Sequence, residues 1–242
     1  MMGFWQQRFH AIDEATPDAE RPVPIAPPPD DAYATARRWM VASQLRGRDI
    51  IDPRVLDAMG RVPRERFVAE EMRHQAYEDH PLLIGLGQTI SQPYIVALTV
   101  QLARLTKESR VLDVGVGSGY QTAILAELCE EVHGVEIHGS LADAARRRLA
   151  ALGYRNVVIR QGDGYLGWPE QSPFDAILVS AAPDHVPRTL LEQLGPGGRL
   201  VIPVGRASQD LLLIEKWPDG GFEQTSIAPV QFVPMVHLSE HD

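Results

Sequence analysis

The chain has 242 residues, 44% hydrophobic and 23% charged, enough for one large domain with a substantial core. A net charge of −9, from 32 acidic against 23 basic side chains, argues against a nucleic-acid substrate, because phosphate contacts need a basic face. The single cysteine, Cys129, forbids an internal disulfide, and no apolar run approaches membrane-span length.

Residues 1–32 are rich in proline and acid, with Pro17, Pro22, Pro24, Pro27, Pro28 and Pro29 among Asp13, Glu14, Asp18, Glu20, Asp30 and Asp31. Such a segment buries too little apolar surface to offset its ordering entropy, so a disordered tail is expected. Gln6, Gln7, Arg8 and His10 interrupt the apolar core that a signal peptide needs, and a cytoplasmic, soluble protein is expected. The remainder, 33–242, is expected to form a single domain, with a helical, substrate-side part over 33–105 and an α/β core over 106–242. Helical character runs from Ala34 to Leu45, and Asp52-Pro53 opens a second short helix. A connecting segment leads through Val62-Pro63-Arg64-Glu65 and Ala76-Tyr77 to Thr89-Ile90-Ser91-Gln92-Pro93. Pro93 then starts a helix to about Leu105, with Ile95, Leu98, Leu102 and Leu105 on one face.

Arg110–Tyr120 carries the main signal. An apolar run with Asp113 near its end gives way to Gly115, Gly117 and Gly119, and Tyr120–Leu128 follows at helical spacing. Strand, glycine turn and helix bring backbone close to a nucleotide-like ligand. A dinucleotide fingerprint would place its third glycine three residues after the second. Here the spacing is two, with Tyr120 where that pattern has Gly or Ala, and this resembles the S-adenosylmethionine (AdoMet) loop of class I methyltransferases. Val132–Ile137 reads as the next strand, carrying Glu136 about 20 residues past the glycines, where a ribose-binding carboxylate belongs. Helix Ser140–Leu152 presents Leu141, Ala145, Leu149 and Leu152 inward, and its Arg146-Arg147-Arg148 run reads as a solvated face. A third strand from Asn156 runs into Asp163-Gly164, where the aspartate suits an adenine amino group or a plain turn. Glu136 has an equally plain reading as a solvated strand end; the order of the three features favours a cofactor.

Phe174–Ser180 is a buried central strand by its continuous apolar character. Pro187 suits a helix first turn, and Gly195-Pro196 is expected to end that helix after Leu194. Strands at Arg199–Val204, Asp210–Trp217 and Pro229–Val236 complete the sheet, the last two as an antiparallel pair at one side. The fold class expected is α/β, a Rossmann-like, mostly parallel sheet with helices on both faces. Cys129, His133 and the other histidines show no metal-ligand spacing, so no metal is expected.

The Thr89–Pro93 block, with Val62–Glu65, Ala76-Tyr77 and Phe232-Val233-Pro234-Met235, resembles the protein-L-isoaspartate O-methyltransferase family from about Met40 to Val236. That resemblance implies methyl transfer from AdoMet, leaving S-adenosylhomocysteine, to the free α-carboxylate of L-isoaspartyl residues in damaged proteins and peptides. It implies Ser91 as the catalytic residue and cofactor contacts at Ile90, Gln92, Asp113, Gly115, Gly117, Gly119, Glu136, Asp163 and Gly164. Thr89, Val233, Pro234 and Met235 are implied on the substrate side, with the Phe232–Met235 main chain pairing with the substrate backbone. Asp113 stands where the family usually has Glu, Val116 where it has Thr, and Leu83 replaces a proline. The partners implied are isoaspartyl polypeptides, with no nucleic acid or membrane, and a monomer is expected.

From spacing alone, Ser91 reads as a cap for the helix that starts at Pro93; the resemblance puts it at the acceptor. Two other functions fit the same scaffold: an O-methyltransferase for Asp in a dedicated precursor peptide, and a catalytically silent AdoMet-binding interaction protein. A nucleic-acid N-methyltransferase fits poorly, because Ser180-Ala181-Ala182-Pro183 lacks the Asn/Asp-Pro-Pro-aromatic turn that grips an amino nitrogen.

Overall fold

The computed structural model describes residues 33–238; the tail expected over 1–32 lies outside the described residues. Helix α1 (Ala34–Trp39) runs on into a wider π-helical turn, Met40–Leu45. Helix α2 (Pro53–Arg61) starts as expected, with the Asp52 side chain accepting the Arg54 N–H at 2.9 Å and proline in the first turn. Two 3₁₀ turns follow, then a hairpin of β1 (Leu82–Gly85) and β2 (Gln88–Ile90). Its Leu82–Ile90 pair is buried, while Leu83, opposite Thr89, is exposed. Helix α3 (Pro93–Ala103) ends two residues short of Leu105.

The core continues through β3 (Arg110–Val114), α4 (Tyr120–Ala126), β4 (Glu131–Glu136), α5 (Gly139–Ala151), β5 (Val157–Gln161), β6 (Phe174–Val179), α6 (Arg188–Glu192), β7 (Leu194–Gly205), β8 (Gln209–Lys216) and β9 (Phe222–Val230). The seven strands lie in the order β5-β4-β3-β6-β7-β8-β9. β5 through β7 pair in parallel, and β8 and β9 add antiparallel at one side. The chain moves outward from β3 to β5 and then returns to β6 on the other side of β3. That reversal opens a crevice at the carboxyl ends of the strands, where α/β sheets place ligands.

Alternation along each strand assigns the two faces. Val111, Val132, Ala176, Leu178 and Val201 face a core shared with α2, α3, α4 and α5. Leu112, Val114, Val135, Ile177, Val179 and Ile202 face a thinner layer made by α6, Tyr165, Trp168 and Met235. Among the described residues no helix is long and apolar enough to cross a membrane.

Four expectations need correction. The helix near Pro187 is only Arg188–Glu192, and Leu194–Gly198 belong to β7, not to a helix end. There a side chain on Gly198 would meet the Phe174 carbonyl at 3.0 Å, so glycine lets β7 run close beside β6. The final strand is Phe222–Val230, and residues 231–236 form no strand. β9 is an edge strand, which tolerates Pro229, and beyond it the Gln209 side chain takes both the N–H and the C=O of Phe232. On α3 the buried face includes Val96, Ala97 and Val100, while Ile95 and Leu102 are half-buried, because the Met40–Leu45 turn, α2, α4, β6 and β7 pack around it. The arginine run is not all solvated. Arg148 is half-buried, donates to the Ser118 carbonyl at 2.6 Å and lies over the Phe67 ring.

Candidate active site

Three segments distant in sequence meet at the crevice. The hairpin side supplies Gln88, Thr89, Ile90 and Ser91; the β3 and β4 ends supply Val114–Ser118 and Val135–His138; and the last described stretch supplies Val233–Val236. Val96, Tyr120, Gln121, Gly164, Ser180 and Ala181 complete the lining. Of the residues implied by resemblance, Thr89, Ile90, Ser91, Gly115, Gly117, Glu136, Gly164, Val233, Pro234 and Met235 line this one cleft. Gln92, Asp113, Gly119 and Asp163 do not.

The glycine loop explains part of that division. Gly117 has φ +54°, and an added Cβ would stand 3.2 Å from Ile84 Cδ1, so the hairpin lies directly on the loop. Gly119 has φ +89°, and its missing side chain faces Ala145 and Leu149 of α5 at 3.3 Å. It serves helix packing. Glu136 ends β4 almost fully buried, with Oε2 accepting the Gly117 N–H at 2.7 Å and Oε1 the His138 N–H at 3.0 Å. The carboxylate thereby ties the second strand to the glycine loop.

Asp113 sits beneath the cleft, fully buried. Its oxygens accept from Gln121 Nε2 at 2.8 Å and Thr122 Oγ1 at 2.6 Å. Burial pushes its pKa up to about 6, against the pull of those two bonds, with Glu136 adding a smaller push. Gln121 also donates to Ser180 Oγ at 3.1 Å, and both line the cleft. Asp113 therefore reaches the site through Gln121. Sequence reasoning passed over Gln121 and Ser180; the visible signal is that Ser180 directly follows the end of β6 and Gln121 lies in the first turn of the helix after the glycine loop.

Ser91 does not cap α3. The cap position is Gln92, with no side-chain bond, and among the described residues none hydrogen-bonds the Ser91 hydroxyl. Its carbonyl accepts from Arg64 Nη2 at 2.7 Å. At the other end, the 231–238 segment forms a strap across the cleft. Ala182 N–H donates to the Val233 carbonyl and Met235 N–H to the Ala182 carbonyl, both at 2.8 Å. Asp163 fastens the strap's far end: Oδ1 accepts the Tyr165 N–H at 2.8 Å, and Oδ2 lies 2.9 Å from His237 Nδ1. The His237 ring stacks on Tyr165 at 4.1 Å. Among the described residues no group of three or more His, Cys, Asp or Glu is placed to hold a metal.

Residues 36–240 match the family described as protein-L-isoaspartate(D-aspartate) O-methyltransferase (PCMT). A protein-L-isoaspartate O-methyltransferase of Synechococcus sp. (strain JA-2-3B'a(2-13)) is 57% identical over 219 residues, covering 86% of this chain and 89% of the relative. One from Opitutus terrae is 55% identical over 205 residues, covering 84% and 88%. Among solved structures, a protein-L-isoaspartate O-methyltransferase superposes with TM-score 0.75 at 31% identity over 82% of this chain, which spans 65% of that longer one. The Plasmodium falciparum beta-aspartate methyltransferase (PCMT) in complex with S-adenosyl-L-homocysteine gives TM-score 0.72 at 28% identity, covering 83% of this chain and 98% of that one.

Proposed function

The chain belongs to the protein-L-isoaspartate(D-aspartate) O-methyltransferase family, and on that premise we propose how its cleft carries out the reaction. The protein transfers a methyl group from AdoMet to the free α-carboxylate of L-isoaspartyl residues. When bound, AdoMet supplies an electrophilic methyl carried on a sulfonium. The cleft fits that group. The glycine loop offers backbone without side chains, and each Glu136 oxygen has accepted one N–H, leaving lone pairs for ribose hydroxyls.

An isoaspartyl carboxylate, with a pKa near 4, is ionised at neutral pH, so the acceptor needs no general base. The chain's task is to position it. The observation that carries this reading is the Ser91 hydroxyl, on the cleft wall with no hydrogen-bond partner among the described residues. It serves as a hydrogen-bond donor that orients the acceptor carboxylate. Val114, Val116, Ile90, Val135 and Met235 keep the walls apolar and exclude water, which favours the partial neutralisation of opposite charges. Substrate backbone pairs with the exposed side of the strap; the Val233 carbonyl and Met235 N–H are already spent on Ala182, which leaves the Pro234 carbonyl for it. The methyl ester afterwards closes to a succinimide without the enzyme, and hydrolysis restores some normal aspartate. We place the protein in the cytoplasm as a monomer acting on polypeptides, a reading that its net charge of −9 supports against nucleic acid.

The test is selectivity between twin peptides. Isoaspartyl and aspartyl carboxylates carry the same charge and differ by one carbon–carbon bond in position. Misplacement by about 1 Å can cost on the order of 100-fold in rate. We expect kcat/KM for an isoaspartyl peptide to exceed that of its aspartyl twin by at least about 100-fold. Comparable values would remove the repair function and leave a methyltransferase for ordinary Asp in a dedicated peptide.

A further inference from the structure

Arg64 is the largest fully buried side chain among the described residues. A guanidinium keeps its proton, so a positive charge is buried with it. The neighbouring Glu65 is not its counter-ion, because that carboxylate is taken by Arg37 and the Tyr77 hydroxyl. Arg64 donates instead to two carbonyls, Nε to Ala76 and Nη2 to Ser91, each at 2.7 Å. Its guanidinium lies 4.8 Å from the centre of the Tyr120 ring, and Nη1 has no hydrogen-bond acceptor among the described residues. Burying a charge without a counter-ion is costly, and an apolar side chain would fill the space better.

The two carbonyls stand at the two feet of the β1–β2 hairpin, Ala76 before it and Ser91 after it. Tyr120 opens α4 directly after the glycine loop and lines the same cleft as Ser91. Arg64 thus touches the acceptor side through Ser91 and the cofactor side through Tyr120. We propose that Arg64 is a positioning residue for methyl transfer: pinning the Ser91 carbonyl beside Tyr120 sets where the Ser91 hydroxyl stands relative to the glycine loop. This rests on the role given to Ser91 above.

Arg64→Lys keeps the charge, but a single ammonium on a flexible stem does not reproduce the fork that spans both carbonyls. The test is a double-mutant cycle with Ser91→Ala, reading kcat, KM for AdoMet and Kd for S-adenosylhomocysteine. Arg64→Lys is expected to lower kcat at least tenfold while both cofactor constants stay within twofold. In the Ser91→Ala background the same change should lower kcat by less than twofold, since the hydroxyl it positions is gone. An equal kcat loss in both backgrounds, or a parallel loss of cofactor affinity, would overturn the proposal and leave the Ser91 role intact. A Ser91→Ala enzyme with unchanged kcat would overturn the Ser91 role and, with it, this proposal. If Arg64→Lys does not fold, Arg64→Gln takes its place in the cycle. Failure of both to give a protein that binds S-adenosylhomocysteine would make Arg64 a folding residue only, and would also overturn the proposal.

Discussion

Each oxygen of Glu136 accepts one backbone N–H, from His138 and from Gly117. We propose that these two bonds shape the glycine loop and that the spare lone pairs of Glu136 take the cofactor's ribose hydroxyls. Glu136→Ala removes both contributions and should weaken S-adenosylhomocysteine binding by about 1–3 kcal/mol, measured by titration calorimetry. Unchanged affinity would remove the ribose assignment. Asp113 makes a different prediction, in pH. Its pKa in the folded chain is about 6, above the usual 3.8, so the folded state holds this proton more tightly than the unfolded state does. Stability from this group is then greatest at low pH, falls as pH rises from about 4 to about 6, and is flat above that. Asp113→Asn lacks the titration. Relative to the parent, it should gain up to about 3 kcal/mol between pH 4 and pH 7 in urea unfolding. A pH-independent difference between the two proteins would show that Asp113 ionises normally.

Among the elements, the strap depends on a glycine in another segment. A Cβ on Gly164 would stand 2.7 Å from Val114 Cγ1 and 2.8 Å from Met235 Cε, so Gly164→Ala is expected to displace Met235 and the strap that carries it. Overpacking of this kind typically costs about 1–3 kcal/mol. Hydrogen exchange at the Ala182 and Met235 amides, whose bonds tie the strap to the end of β6, should speed up; unchanged protection would mean that Met235 simply swings aside. The strap also marks where sequence reading stopped. β3, its glycine turn and Glu136 were legible because strand, turn and strand-end acid follow one another at fixed local spacing. Ser91 was legible only by resemblance, since its local pattern reads as a helix cap that the structure does not form. The strap was mistaken for a strand because Phe232, Val233, Met235 and Val236 have strand-like composition. What moves it off the sheet is the Gln209 side chain, 23 residues away, and no local pattern displays that pairing. Arg64 was quoted for its motif alone, since its bond to Ser91 spans 27 residues.

For the molecule as a whole, the helical region before the glycine loop shares one core with the sheet. Met40, Leu56, Phe67 and Val96 belong to the same buried cluster as Tyr120, Ile124 and Leu149. We propose that 33–242 forms one folding unit that needs nothing from the acidic stretch before it. A variant beginning at Tyr33 should keep kcat/KM on short isoaspartyl peptides within about twofold of the full chain, because each described residue lining the cleft lies at or beyond Gln88. A large loss from a folded, truncated protein would place part of that stretch at the site.

The cleft wall joins the hairpin, the strand ends and the strap, so we expect a bound cofactor to add contacts among parts of the chain that lie far apart in sequence. Ligand present at 100 times its Kd adds about 2.7 kcal/mol to the native state. With contacts spread this widely, that increment opposes every partial opening that separates hairpin, loop and strap, not just local fraying near the glycines. Without methyl donor the chain is expected to open more often and to be cut faster, a difference that limited proteolysis with and without AdoMet would read.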